Sequence, residues 1–227
     1  AIWMALWFPS RETAMSTLPP AGTSAQDFFE RFVPDAFKAT PLPEDAREID
    51  VTLGVKLDGD GGGEWRFHLN RGEMKIERGS TEDAAFTLIQ SVADWRGALW
   101  EGRGGVFGRQ SQSMFQPGAG AGAAGAMSPV ALARLQALRG VIRMVVTGGP
   151  GGDWSVDFKL GPGPVPAEPT TSVTIAAADA DALERGELDP MQAFMSGKIM
   201  VAGDMTLMMQ MQAIQMQAQA AAQAKKV

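Results

Sequence analysis

From Ile49 to Leu57 the chain alternates, with Ile49, Val51, Leu53, Val55 and Leu57 on one side and polar or small residues on the other. That period of two predicts a half-buried strand. A glycine-rich stretch, Asp58 to Glu64, leads at once into a second alternating run, Trp65 to Leu69. Asn70-Arg-Gly-Glu73 leads into a third, Met74 to Arg78. Connections this short permit only antiparallel neighbours. Ala85 to Gln90 reads as a fourth strand. Helices flank the set. Ser24 to Lys38 has a serine cap and a stripe of Phe28, Phe29 and Phe32, with a kink expected at Pro34. Ser91 to Gly102 carries Val92, Trp95 and Leu99 on one side. The fold class expected is α+β, a mixed sheet covered by helices.

The same order returns further on. A helix is expected from Ser128-Pro129 to Gly140. Strands follow at 141–147 and 154–160, then a proline-rich loop and a strand at 171–176. Short helices from Asp179 and Asp189-Pro190, a strand at 198–202 and a helix capped by Asp204 complete it, fading into a polar tail. GEWRFHL at 63–69 echoes GDWSVDFKL at 152–160, and AFTLIQSVADW echoes SVTIAAADADA. The shared order predicts an internal duplication. The expected division is an N-terminal extension (1–23), a first unit (24–105), a Gly/Ala-rich linker (106–127) and a second unit with its tail (128–227).

Composition narrows the function. The 227 residues carry a formal net charge of -6 with no basic patch, so nucleic acid is not expected as a partner. With no cysteine, thiol chemistry and disulfides are excluded. That fits a reducing compartment, and a cytoplasmic location is expected. No run reaches the roughly 20 apolar residues of a membrane span. The start, AIWMALWFP, reads as an extension that docks Trp3, Trp7 and Phe8, or as an interfacial anchor. Met15 reads as a natural start.

The motifs for chemistry are thin. Gly120 to Gly125 matches a dinucleotide fingerprint by letters but follows no strand. Asp58 to Glu64 lacks the frame of a calcium loop and reads as a turn. His68 has no nucleophile or carboxylate set around it. Asp179 and Asp181 sit at a helix start, where acids suit the dipole. No catalytic residue, metal or cofactor is expected.

The stretch from Asp189 to Met216 holds eight of the fourteen methionines. Thioether side chains are flexible and polarisable, so a wall of them refits itself around varied apolar shapes. At about 100° per residue, Met205, Met208, Met209 and Met216 share one stripe of the last helix. Leu207, Met211 and Ile214 share the opposite one. One stripe covers the sheet, and the other needs a cover of its own: the other unit, a second protomer or a ligand.

The motifs Gly186-Glu-Leu-Asp-Pro190, Ala193-Phe-Met-Ser-Gly-Lys198 and Ile199-Met-Val-Ala-Gly-Asp-Met205 resemble the C-terminal half of the type-two sterol carrier domain family. The first half of the chain is similar to that family in its meander but lacks the closing strand and Met helix, as a degenerate copy would. The resemblance implies a tunnel between sheet and helices that holds a fatty acid, acyl chain or sterol. Its lining would be Trp154, Phe158, Phe194, Met195, Ile199, Val201, Met205, Met208, Met209 and Met211. Lys198, Arg185 and Arg143 are the candidates for an anionic headgroup. Transient membrane contact and a homodimer remain open as partnerships. Two alternatives also stay open: an enzyme using His68 or a carboxylate in the same hollow, and an interaction protein whose hollow is filled.

Overall fold

The computed structural model describes residues 18–38, 49–113, 133–134, 136–211 and 213–214. The first helical segment has three parts: α1 (Ala25–Asp27), a π-helical turn (Phe28–Phe32) and α2 (Val33–Lys38). The Ser24 hydroxyl caps it by accepting from the Asp27 N–H. The irregularity comes as a widened turn just ahead of Pro34. Proline has no N–H for the Glu30 carbonyl and its ring crowds that oxygen. The Val33 N–H instead reaches back five residues to the Phe28 carbonyl.

Strands β1 (Asp50–Asp58), β2 (Gly63–Asn70) and β3 (Glu73–Arg78) form the expected antiparallel meander. β4 (Phe86–Ser91) runs parallel to β1, and α3 (Val92–Trp100) follows under a Ser91 cap. In the second half, β5 (Gly140–Thr147) pairs antiparallel with β6 (Trp154–Leu160) and parallel with β7 (Thr171–Ala176). Then come α5 (Ala177–Glu184), α6 (Pro190–Met195) and β8 (Ile199–Gly203), which lies antiparallel to β7. A C-terminal helix covers 205–211 and 213–214.

The strands of both halves join in one eight-stranded sheet, ordered β3-β2-β1-β4-β6-β5-β7-β8. The junction is a short antiparallel ladder from Phe86↔Leu160 to Ile89↔Asp157. Past Ile89 the Gln90 side-chain amide takes over, donating to the Ser155 carbonyl at 2.9 Å.

One stretch departs from expectation. The linker read at 106–127 begins inside a helix, α4 (Gly105–Ser113). Its sequence is rich in glycine, yet tertiary contacts hold it. Val106 is buried. Arg109 forms ion pairs with Asp181 and Glu184 of α5. Residues 114–127, the helix start at Ser128-Pro129, the first seventeen residues and the tail from 215 lie outside the described residues.

Register sorts the side chains between two faces. Trp65, Phe67 and Leu69 point to the same side as Val55, Leu57, Leu88, Phe158, Ile142, Met144 and Val173. Phe28, Phe29, Trp95, Leu99, Val106, Ala180, Leu183, Ala193 and Leu207 of the helices pack on that side and join one buried cluster. Burial of apolar surface at about 25 cal/mol per Å² is what holds these layers together. The opposite face carries the charged pairs and is open over part of its area. Arg143–Asp157 and Lys56–Glu64 pair across strands there. Two loops lie over part of it: Gly161 N–H donates to Ala85 O and Gly163 N–H to Glu82 O. Lys159 is buried beneath them.

Candidate functional site

The covered face of β5–β8 is ruled in three rows. Trp154, Val146, Ile175 and Ile199 form one; Val156, Met144, Val173 and Val201 the next; Phe158, Ile142, Thr171 and Gly203 the third. The rows run from the junction with the first half to the free edge at β8. Three strand spacings of about 4.8 Å, some 14 Å in all, separate Trp154 from Ile199.

The ten residues expected to line a tunnel fall into two sets. Trp154 and Phe158 lie at the junction and are almost fully buried. The indole Nε1 of Trp154 donates to the Asp94 carbonyl at 3.0 Å. Phe158 stacks on Phe86 at 5.6 Å between ring centres. These two are tied into the packing between the halves. The other eight gather around β8. Ile199, Val201, Met208 and Met211 are half-buried and pack against the core. Phe194 (46% exposed), Met195 (81%), Met205 (38%) and Met209 (64%) face outward. Seven large apolar side chains are exposed among the described residues, and six of them lie between Met191 and Met209.

The C-terminal helix therefore sets Leu207, Met208 and Met211 inward, with Leu207 fully buried, and Met205 and Met209 outward. The expected stripe of Met205, Met208 and Met209 is split. Asp204 fixes the helix start: its carboxylate accepts from the Thr206 N–H at 2.7 Å, and these bonds hold its pKa below the usual carboxylate range. Thr171 Oγ1 donates to the Asp204 carbonyl at 2.7 Å, tying that start to β7. Asp189 caps α6 in the same way, accepting from the N–H groups of Met191 and Gln192. Ala180 and Leu183 of α5 and Ala193 of α6 are buried in the core cluster beside these elements. Sequence reading passed over the two alanines because small residues carry no stripe signal.

The headgroup candidates all have partners. Arg143 sits on the open face, between Ile142 and Met144 of the covered one, and holds Asp157 through two bonds of 2.7 Å. That pairing raises its pKa. Arg185 holds Glu187 at 2.8 Å. Lys198 holds Asp179 at 2.5 Å beside β8. His68 lies on the open face of β2, where Nδ1 is 3.2 Å from Thr52 Oγ1. The sheet separates it from the covered face. Among the described residues no group of three His, Cys, Asp or Glu is placed to hold a metal. No described helix is long and apolar enough to cross a membrane.

Sequence reading missed two residues of the junction, Arg103 and Gly104. Arg103 pairs with Asp94 at 3.3 Å and donates to the Asp153 carbonyl at 2.6 Å. It lies in a Gly-Arg-Gly-Gly string, where nothing in the pattern marks a buried role. Gly104, at φ +78°, sits against the Trp154 ring; a Cβ there would come within 2.5 Å of it.

Residues 123–216 match the SCP-2 sterol transfer family. Over 85 residues the chain is 40% identical to sterol carrier protein 2 of Rattus norvegicus and 39% identical to that of Homo sapiens. Each match covers 34% of this chain and 16% of the relative, so the chain spans about a sixth of the length of these proteins. Among solved structures, sterol carrier protein domain 2 of Helicoverpa armigera is similar at 29% identity and a TM-score of 0.29, covering 37% of this chain and 72% of that one. The family match thus places an SCP-2 sterol transfer domain at residues 123–216, where the motifs suggested it.

Proposed function

We propose that the second half of this protein binds a lipid, such as a fatty acid, acyl chain or sterol, between the covered face of β5–β8 and its helices, and carries or presents it. One observation carries this reading. Met191, Phe194, Met195, Met205 and Met209 stand exposed around a floor made of Ile199, Val201, Met208 and Met211. Soluble proteins rarely leave so many large apolar side chains open in one stretch of chain without a use for them. The family match of residues 123–216 supports the same reading. The chemistry is sufficient: at about 0.8 kcal/mol per methylene, a dozen buried methylenes give roughly 10 kcal/mol before ordering costs. Lys198 is the cation nearest the floor in sequence, and exchange of its Asp179 partner for a ligand carboxylate would fix a headgroup. No cofactor takes part. The exposed methionines are also the side chains that a bilayer would meet during loading.

The chain reads as two copies of one unit that share strands. β1 pairs antiparallel with β2 and parallel with β4, and a helix follows; β5 pairs likewise with β6 and β7, and a helix follows. Trp65 opposite Val55, with Leu88 beyond, corresponds to Trp154 opposite Val146, with Ile175 beyond. β6 flanks β4 as β8 flanks β7, and β4 flanks β6 as β3 flanks β2. Each copy thus borrows the strand it lacks. The first copy is filled with rings: Phe29 lies 4.8 Å from Trp65 and 5.7 Å from Trp95. Seven residues past Ile175, where the first copy has Trp95, the second has Ala182. This favours a lipid site in the second copy alone, and a chain without cysteine suits the reducing cytoplasm.

The enzyme reading has less support. Among the described residues, the fully buried polar side chains on the covered face of the sheet are Gln90 and Thr171, and both are engaged with backbone carbonyls. Titration of the delipidated 227-residue chain with a fluorescent fatty acid tests the proposal. Saturable micromolar binding, displaced by unlabelled palmitate or cholesterol and weakened at least about tenfold by Met208→Asp in a folded variant, is expected. Binding that never saturates would refute it.

A further inference from the structure

The two edges of the sheet are unlike. β3 closes one edge with Glu73, Lys75, Glu77 and Arg78 among its six residues. Charges on an edge strand discourage pairing with another sheet. β8 closes the other edge with Ile199-Met-Val-Ala-Gly203, which has neither a charge nor a proline. Met200 on its open-face side is 59% exposed.

The ladder to β7 shows which way the backbone groups of β8 point. Asp204 N–H donates to Thr170 O at 2.9 Å. That pair continues the register Ser172↔Ala202 and Thr174↔Met200. Hydrogen-bonded pairs alternate along an antiparallel ladder. Met200 and Ala202 therefore spend their N–H and C=O groups on β7, while Ile199, Val201 and Gly203 turn theirs to the outer edge. Among the described residues no strand pairs with that edge.

We propose that β8 pairs antiparallel with β8 of a second copy of this chain, about a two-fold axis through Val201. In that register Val201 faces its own counterpart and Ile199 faces Gly203. All are residues whose groups point outward, so about six backbone hydrogen bonds form. The charges agree with this register. Lys198, just before the strand, comes opposite Asp204, just after it, in the second copy, and the symmetry repeats the contact. Lys198 holds Asp179 through one of three donors and its side chain is 46% exposed, so donors remain for a second carboxylate. Such a self-complementary patch is what a two-fold dimer needs. The pairing would set two copies of the Ile199–Val201 floor side by side. It rests on the strand edge and not on the lipid reading.

Sedimentation equilibrium of the 227-residue chain tests it, together with hydrogen exchange across a concentration series. A species of twice 24.1 kDa should appear with rising concentration. The amides of Ile199, Val201 and Gly203 should gain protection as it forms, while those of Met200 and Ala202 are protected throughout. Lys198→Glu should weaken the dimer at least about tenfold, and the double variant Lys198→Glu, Asp204→Lys should restore it. A 24.1 kDa species at every concentration would overturn the proposal. So would a dimer indifferent to Lys198→Glu, or one whose Val201 amide exchanges at the monomer rate.

Discussion

The Trp154 indole N–H donates to the Asp94 carbonyl at 3.0 Å, which ties the start of β6 to the first turn of α3. Arg103 reinforces the tie by holding both Asp94 and the Asp153 carbonyl. Trp154 has the bulk of a core residue and the polar link of a staple. Trp154→Ala should cost about 3–5 kcal/mol from the cavity, and Trp154→Phe about 1–2 kcal/mol, in urea denaturation. Both variants should unfold in one cooperative transition reported equally by probes in either half.

Gly104 offers a second test at the junction. It adopts φ +78°, and the ring it faces is buried and cannot retreat. Gly104→Ala combines left-handed strain with a clash. A loss of about 2 kcal/mol or more in thermal or urea unfolding is expected. An unchanged midpoint would mean that the indole lies elsewhere.

These two positions also mark where the fold was legible in sequence. Alternation from Ile49 to Leu57 and from Trp65 to Leu69 placed β1 and β2 to within two residues, because one face is buried along their whole length. β6 and β7 came out at their observed bounds for the same reason. Helix α4 did not, since two glycines and the four uncharged polar residues 110–113 leave no apolar stripe, and its order comes from burial of Val106 and from Arg109 meeting Asp181 and Glu184 of the second half. The Met-rich segment was visible as composition. Its split between Met208 inward and Met209 outward was not, because the register of a helix on a sheet is set by Leu207 and the floor beneath it.

Leu207 and Met209 separate stability from binding. Leu207 is buried against the core, and Leu207→Ala should cost about 2–4 kcal/mol. Met209 is exposed, so Met209→Gln should leave the unfolding midpoint within about 0.5 kcal/mol. It should still lower fatty-acid affinity measured by fluorescence titration.

Two ionisable groups give pH signatures at opposite ends of the scale, and in both windows stability rises with pH. Hydrogen bonds from Thr206 lower the Asp204 pKa in the folded protein. Its stabilising contribution is therefore full above the ordinary aspartate value of about 3.9 and is lost as pH falls through the lower folded value. Asp204→Ala should lose stability at neutral pH and close the gap in acid. Burial lowers the Lys159 pKa. The folded state then binds fewer protons than the unfolded one between the folded value and about 10.4, so stability rises with pH across that window. Lys159→Met should be the more stable protein at neutral pH, with its advantage shrinking as pH climbs toward that limit.

The most direct measurement is native mass spectrometry of the 227-residue chain after loading with palmitate, with the first copy's ring cluster left intact. Lipid occupancy should stop at one molecule per 24.1 kDa chain and vanish when Val201 and Met208 are both changed to aspartate in a chain that still melts cooperatively. Two lipids per chain, or one that survives that double change, would contradict a single binding floor under the methionine-rich helix.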